Sequence, residues 1–243
     1  MLLKIENIHK HFGGVSALAN VSLSVAKGTV LGIVGDNGAG KSTLMKCISG
    51  AMTPEDGNIV FDEKPLALGQ PSTIRDVGIE MIYQDLGLCL AQDVLFNIFL
   101  GRELRTRFGF LDHVQMQKDA TAIFKKLKTM IPSNKEVGLL SGGQQQTVAL
   151  ARAMISHPKL IIMDEPTSAL SAKEVQIVLD FIRGLKQDGV TVLMISHRLN
   201  DIFEVADRIC IMKQGRIVQN TSTNKTSMKE VISKIVGENE KGF

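Results

Sequence analysis

The sequence predicts an α/β protein, and three observations lead to this fold class. Short apolar, β-branched runs alternate with helical patterns after residue 158. A glycine-rich loop joins another such run to a helix near the N-terminus. Between residues 88 and 136 the strand pattern disappears and apolar residues recur at helical spacing. These patterns indicate an α/β core that carries an inserted helical subdomain.

The strands of the N-terminal part are short and separated by turn residues. We predict them at residues 2–8, 21–25, 30–34 and 58–61. The segment 53–57, which contains Pro and Gly, is a predicted turn. A further strand at 79–83 ends at Gln84.

The helical insertion carries a local basic cluster. Ile123, Leu127 and Met130 have the spacing of one helix face. We interpret the basic side chains as the solvated surface of the insertion; they are Arg102, Arg105, Arg107, Lys118, Lys125, Lys126 and Lys128.

The C-terminal part alternates strand and helix. The continuous apolar runs 160–163 and 191–195 are typical of parallel strands buried on both faces. Between them, residues 175–182 carry the core face of a helix. We also predict a hairpin with strands at 208–212 and 216–218. A last helix begins at a capping box, Ser227 to Glu230, and a polar tail follows it.

Composition is that of a globular protein and excludes few functions. Of 243 residues, 44% are hydrophobic and 22% charged, enough for one large core or a main domain with an inserted one. The net charge of +3 gives no sign of a nucleic-acid partner. Apolar runs are shorter than the ~18 residues that span a bilayer, and Glu6 comes too early for a secretion signal. Any membrane association is therefore expected through a partner.

The three cysteines have apolar neighbours in the sequence. We expect Cys47, Cys89 and Cys210 to be buried, reduced thiols of a cytosolic protein. Their spacing does not suggest a metal site.

A phosphate-binding loop is the most informative motif of the chain. It reads Gly35-Asp36-Asn37-Gly38-Ala39-Gly40-Lys41-Ser42 and continues into a helix at Thr43. Its residues match the G-x-x-x-x-G-K-[ST] pattern, in which glycines let backbone N–H groups point at phosphate oxygens. We expect Lys41 to reach the β- and γ-phosphates and the Ser42 hydroxyl to ligate Mg²⁺. The chain is therefore predicted to bind a nucleotide.

Two adjacent acids follow the buried strand 160–163. We expect Asp164 to serve the Mg²⁺ ion and Glu165 to act as general base on the attacking water. The alternative is a strand that simply ends in a polar turn at Pro166.

A third motif, Ser141-Gly142-Gly143-Gln144, follows Leu140. Ser141 and Gln144 alone make an ordinary capping box. Two glycines in a first helical turn, however, each cost up to ~1 kcal/mol relative to alanine. They would expose the helix N-terminus to an anion.

With these three motifs in this order, the chain resembles the ATP-binding-cassette (ABC) ATPase family over nearly its whole length. The resemblance implies one domain, 1–243, with a P-loop NTPase core at 1–87 and 137–243. It also implies an N-terminal antiparallel β subdomain and a helical subdomain at 88–136.

Further family motifs match residue by residue. Phe12 lies where the family has an aromatic that stacks on adenine, although a packed core phenylalanine is the alternative. Gln84 matches the glutamine that touches Mg²⁺ and the lytic water, and His197 matches the histidine that bonds the γ-phosphate. Ser171 stands where the family usually has Asp in the loop 168–171, which crosses to the other subunit.

The resemblance also implies a dimer, in which each ATP lies between the phosphate loop of one chain and Ser141-Gly142-Gly143 of another. The expected unit is a homodimer or a pair with a similar ATPase. ATP closes the sandwich and hydrolysis opens it.

Two segments, 80–88 and 97–103, resemble bacterial importers of ribose, xylose and fructose. This implies two transmembrane permease subunits and an external sugar-binding protein as partners. It also implies a peripheral position on the cytoplasmic face of the membrane, and no nucleic acid. A permease helix is expected in the groove beside Gln84 and residues 85–105. The chain is expected to be a single-cassette member or half of a tandem protein.

Three alternatives remain open from the sequence. They are a soluble ABC ATPase that acts on ribosomes or DNA, a scaffold that binds ATP without useful hydrolysis, and an ABC exporter subunit.

Overall fold

The computed structural model describes residues 1–168 and 170–237. Its strands are β1 (Leu3–Phe12), β2 (Val15–Val25), β3 (Val30–Val34), β4 (Asp56–Phe61), β5 (Lys64–Pro65), β6 (Ile79–Ile82), β7 (Leu160–Asp164), β8 (Thr191–Ile195), β9 (Arg208–Lys213) and β10 (Arg216–Ser222). Its helices are α1 (Lys41–Ile48), α2 (Pro71–Asp76), α3 (Val94–Phe99), α4 (His113–Lys126), α5 (Gly142–Met154), α6 (Ala172–Gln187), α7 (Leu199–Val205) and α8 (Met228–Val236). Ala169 in the predicted crossing loop and the predicted polar tail, 238–243, lie outside the described residues.

A six-stranded sheet forms the centre of the fold, in the order β10-β9-β3-β8-β7-β6. All its pairs are parallel except the β9–β10 hairpin. The carboxyl ends of β3, β7 and β8 therefore meet at one edge, where ligands of open α/β sheets bind. The predicted α/β fold is confirmed.

Both faces of this sheet are covered, as the continuous apolar strands predict. Successive side chains of a strand point to opposite faces. Leu31 and Ile33 accordingly belong to one hydrophobic core, together with β1, β2 and α1, while Val30 and Val34 belong to a second core with α5 and α6.

A four-stranded antiparallel sheet, β2-β1-β4-β5, packs over α1, so the predicted N-terminal antiparallel sheet is also confirmed. The sequence prediction was too short here: β1 reaches Phe12 and β2 already begins at Val15. Their outer ends are largely exposed, so apolar alternation does not mark them. Neither β5 nor α2 was predicted.

The segment 88–136 contains α3 and α4. The helix predicted through Met130 is wrong at its end, because α4 stops at Lys126, Lys128 has a left-handed φ of 51° and Met130 is exposed. Arg102 is not a solvated side chain either. Its guanidinium is ion-paired with buried Glu80.

Two further expectations need correction. Cys47 and Cys210 are buried, but Cys89 is exposed because it lies in the loop between β6 and α3. At α8, Ser227 accepts a hydrogen bond from the Glu230 N–H, whereas the Glu230 carboxylate accepts one from the Thr226 hydroxyl at 2.9 Å. The predicted capping box is thus only half formed.

Candidate nucleotide-binding site

A cleft of about 740 Å³ opens at the carboxyl ends of β7 and β8. It gathers residues that the sequence analysis selected from five separate segments. Its lining consists of Phe12, Val15, Ala17, Asn37, Gly38, Ala39, Gly40, Lys41, Ser42, Thr43, Gln84, Asp164, Glu165, Ile195 and His197.

The phosphate loop presents an open helix N-terminus to this cleft. Gly40, the residue before α1, has a left-handed φ of 98° and supplies no side-chain cap. An added Cβ at Gly40 would collide with the carbonyl oxygen of Ala17, so this position requires glycine. The first N–H groups of a helix have no partner within the helix, and here no side chain takes that place. They are available to phosphate oxygens.

The Lys41 side chain bonds to the phosphate loop that precedes it. Its ammonium donates hydrogen bonds to the carbonyl oxygens of Gly35 at 2.7 Å and Asp36 at 2.8 Å. Burial lowers the pKa of Lys41, and the charges of Glu165, Asp164 and Asp36 oppose this shift. A bound phosphate group would offer Lys41 a charged acceptor in place of these two neutral carbonyls. A hydrogen bond to a charged acceptor is the stronger type.

The two acids at the end of β7 face different neighbours. The Ser42 hydroxyl lies 3.4 Å from Asp164 Oδ1. Glu165 has a left-handed φ of 54°, and its N–H donates to the Ile195 carbonyl at 3.0 Å. This turn places Glu165 Oε2 at 2.8 Å from His197 Nδ1. Both acids thus have defined neighbours in the cleft, and their catalytic roles stay a prediction.

Phe12 and Gln84 stand at the rim of the cleft. Phe12 is 49% exposed, so it is not a core phenylalanine. Lys10 Nζ lies 5.8 Å from the centre of its ring. Gln84 is exposed just beyond the end of β6.

The Ser141–Gln144 segment lies outside this cleft, at the start of α5. The Ser141 hydroxyl accepts from the Gln144 N–H at 3.3 Å, and the Ser141 N–H donates to Gln144 Oε1 at 3.1 Å. The capping box is therefore formed, with Gly142 exposed beside it. Within one chain, this segment and the phosphate loop do not line the same cleft.

Ser171 and Glu174 place a carboxylate against this segment. Glu174 Oε2 accepts hydrogen bonds from the Ser171 N–H at 2.9 Å and from its hydroxyl at 2.8 Å. These two bonds lower the pKa of Glu174, and the backbone N–H of Gly143 contributes. An added Cβ at Gly143 would collide with this carboxylate. The Glu174 carboxylate therefore lies between Ser171 and the start of α5.

A supporting network joins the loops that follow β7 and β8. The buried Thr167 hydroxyl donates to Asp201 Oδ2 at 2.6 Å, and Arg198 Nε lies 3.3 Å from the same carboxylate. Sequence reasoning missed these residues, because no motif marks them. Asp201 shares its short helix with Glu204, an exposed acid, so the sequence does not distinguish the two.

Comparison with known proteins identifies the family. The profile described as ABC transporter matches residues 18–168. The chain belongs to the ABC transporter family. It is accordingly an ATPase that binds ATP.

Several relatives are importer ATPases by name. The chain is 44% identical over 231 residues to the xylose/arabinose import ATP-binding protein XylG of Sulfolobus acidocaldarius, covering 95% of this chain and 92% of the relative. It is 37% identical to the galactose/methyl galactoside import ATP-binding protein MglA of Treponema denticola and 38% identical to the ribose import ATP-binding protein RbsA of Lactococcus lactis subsp. cremoris. It covers 48% of each of these two relatives, so it spans about half their length.

Solved ABC cassettes have the same fold. A nucleotide-free ATP-binding cassette superposes with a TM-score of 0.83 at 30% identity, and 97% of each chain is covered. The cassette MJ0796, in a dimeric post-hydrolysis state bound to ADP and Pi, gives 0.80 at 29% identity over 91% of this chain and 99% of that one. Within 1–168 and 170–237, no helix is long and apolar enough to cross a bilayer.

Proposed function

We propose that this chain is the ATP-hydrolysing motor subunit of an ABC importer for a monosaccharide. The observation that carries the proposal is the cleft that joins the phosphate loop, the acid pair and His197. The 44% identity to a xylose/arabinose import ATPase supports the transported class. The whole chain, 1–243, acts as one nucleotide-binding domain, with its catalytic core at 1–87 and 137–243 and its helical subdomain at 88–136.

The phosphate loop binds the triphosphate. Residues 35–43 surround the β- and γ-phosphates with backbone N–H groups, and Lys41 turns from the Gly35 and Asp36 carbonyls to the phosphate oxygens. Phe12 stacks on the adenine from the rim.

The donor set beside Lys41 suits a magnesium ion. The Ser42 hydroxyl and the Asp164 carboxylate, 3.4 Å apart, are the hard oxygen ligands that Mg²⁺ prefers, and Gln84 lines the same cleft. These three residues would hold the ion. When bound, it would neutralise charge that develops on the phosphate oxygens.

Glu165 and His197 carry the chemistry of hydrolysis. Glu165 accepts a proton from the attacking water as general base, and Gln84 orients that water. His197, 2.8 Å from Glu165, donates to the γ-phosphate while it fixes the direction of the carboxylate. Ser141, Gly142, Gly143 and Gln144 of a second chain complete the site, so the working unit is a dimer of this chain or a pair with a similar ATPase.

The partners we propose are two transmembrane permease subunits and, through them, an external sugar-binding protein. The permease helix was expected beside Gln84 and residues 85–105. Of that segment, Phe99, Gly101, Arg102 and Leu104 line a groove of about 710 Å³ that α4 and the end of α5 also line, whereas Gln84 does not line it. We propose this groove as the docking site. The chain would then lie peripherally on the cytoplasmic face of the membrane, without a nucleic-acid partner.

Affinity capture tests this function. The tagged chain is captured from detergent-solubilised membranes of its own cells, and co-purifying proteins are identified by mass spectrometry. We expect a polytopic permease in stoichiometric yield. Ribosomal or DNA-repair proteins without a membrane subunit would contradict the importer, and a permease that lacks any binding-protein partner would favour an exporter.

A further inference from the structure

The loop after Gln84 is bonded to the helix that carries the Ser141–Gln144 segment. Arg152, near the end of α5, donates hydrogen bonds to the carbonyl oxygen of Leu86 at 2.5 Å and of Gly87 at 2.9 Å. The planar guanidinium of Arg152 thus binds two consecutive carbonyl oxygens at once. Leu86 is two residues from Gln84, so this contact is close to a residue of the proposed site.

Arg152 is partly buried near a second arginine and a glutamate. Burial lowers the pKa of Arg152, the positive charge of Arg102 adds to the shift, and the Glu80 carboxylate opposes it. Glu80 is itself buried in β6 and pairs with Arg102 at 2.9 Å. An arginine remains a donor throughout the accessible pH range, so its bonds to the loop do not depend on titration.

The rest of the loop has other attachments. The side-chain amide of buried Asn97 accepts a hydrogen bond from the Cys89 N–H at 2.7 Å and donates one to the Cys89 carbonyl at 3.0 Å. The Gly138 N–H donates to the Leu90 carbonyl at 2.8 Å. These contacts hold the part of the loop that is distant from Gln84, whereas Arg152 holds the near part to α5.

We propose that Arg152 is a positioning residue that couples the N-terminal segment of α5 to Gln84. This inference rests on the proposed function, in which Ser141–Gln144 contacts the nucleotide of the partner chain while Gln84 serves the nucleotide of its own chain. When nucleotide binding shifts α5, the Arg152 guanidinium carries the Leu86 and Gly87 carbonyls along with the helix. Gln84, two residues before Leu86, moves with them. Arg152 therefore links the two ATP sites of the dimer without touching either nucleotide.

A double-mutant cycle tests the coupling in the chain assembled with its permease. We expect Arg152→Met to lower kcat by about tenfold to hundredfold while KM for ATP changes by less than about twofold. In a Gln84→Ala background, Arg152→Met should cause no further loss, because both changes remove the same effect. Arg152→Lys should restore part of the rate, since an ammonium reaches one carbonyl but lacks the fork.

The matched control is Arg208→Met. Arg208 is exposed and also donates to a backbone carbonyl, that of Asn220 at 3.1 Å, but within the β9–β10 hairpin. We expect wild-type kcat from this variant. Equal losses from Arg208→Met and Arg152→Met, or losses that multiply with Gln84→Ala, would overturn the proposal.

Hydrogen exchange of the purified chain supplies a readout that requires no hydrolysis. We expect Arg152→Met to raise amide exchange in residues 84–88 by about tenfold, with exchange in β3 and β8 unchanged. Unchanged exchange in 84–88 would overturn the proposed role of Arg152. If Arg152→Met does not fold, Arg152→Lys carries the same measurement. A chain that captures no permease would contradict the proposed function, while the exchange experiment would still decide the role of Arg152.

Discussion

Among single residues, the acids at the end of β7 have separate surroundings although they are adjacent in sequence. Asp164 is buried beside the Ser42 hydroxyl, whereas Glu165 turns through a left-handed φ of 54° toward His197. Such a backbone costs a non-glycine residue about 1–2 kcal/mol. The Glu165 N–H donates to the Ile195 carbonyl at 3.0 Å, and this bond fixes the turn.

We expect Glu165→Gln to bind ATP with unchanged affinity and to lower turnover by about 10²–10⁴-fold, the usual contribution of a general base. Single-turnover hydrolysis measures this. Glu63→Gln is the matched control, because Glu63 is also a glutamate at a left-handed φ, 66°, but is exposed between β4 and β5. Hydrolysis at the wild-type rate by Glu165→Gln would remove this residue from the role.

Lys41→Ala should weaken ATP binding itself. A charged hydrogen bond to phosphate contributes about 1.5–3 kcal/mol, so we expect Kd to rise by about tenfold to a hundredfold or more. Isothermal titration with ATP measures the change. Lys46→Ala, on the exposed side of the same helix, should leave Kd unaltered. Equal affinity of Lys41→Ala and wild type would argue against the phosphate-loop assignment.

The cysteines should differ in reactivity. Burial raises the pKa of Cys47 to about 11 and that of Cys210 to about 12. Less than about 0.1% of either is thiolate at pH 8, whereas Cys89 is exposed. We expect iodoacetamide to label Cys89 alone in the native chain, and all three thiols after unfolding in guanidinium. Rapid labelling of native Cys89→Ser would contradict the assignment.

At the scale of elements, α4 forms one wall of the groove assigned to the permease. Ala122 and Ile123 line this wall, while Phe99 and Leu104 line the side toward α3. Ala122 is exposed, so a larger side chain can be placed there without loss of core packing.

Ala122→Arg should abolish sugar transport and capture of the permease while basal ATP hydrolysis continues, because the added side chain fills the groove and not the nucleotide cleft. Uptake of labelled sugar and ATPase assays on the purified chain measure the two effects. Thr121→Arg is the control, since Thr121 is also exposed on α4 but does not line the groove. Normal transport by Ala122→Arg would place the docking site elsewhere.

At the scale of the whole molecule, the two segments that we propose to bind nucleotide lie apart within one chain. Its phosphate loop lines the cleft, but its Ser141–Gln144 segment lies at the start of α5, outside that cleft. The dimeric cassette MJ0796 has the same fold. A second chain is the simplest source of the missing half.

Gly142→Asp tests that arrangement. An added Cβ at Gly142 meets no atom of its own chain within 4 Å, and an acid in a first helical turn favours folding. We expect Glu165→Gln to dimerise in ATP and Glu165→Gln with Gly142→Asp to stay monomeric, both measured by light scattering. Gly184→Asp, at another open glycine, should leave the dimer intact. A dimer that tolerates Gly142→Asp would contradict the nucleotide sandwich.

The sequence by itself determined the α/β class and most of the candidate residues. The strands 30–34 and 191–195 have the predicted bounds, because strands buried on both faces must be apolar throughout. The phosphate loop was readable because its chemistry requires glycines, a lysine and a hydroxyl at fixed spacing.

The tertiary structure decided the contacts between distant segments. Local sequence patterns do not predict that Glu80, Arg102 and Arg152 lie near one another, or that the Glu174 carboxylate lies beside Gly143. The partner of a polar side chain can be identified only when the folded chain buries that side chain, because burial removes water and requires a protein partner. Exposed strand ends, such as Val15, and the solvent-facing Cys89 escaped prediction for the converse reason. Their environment is set by what packs against them, and apolar periodicity does not record it.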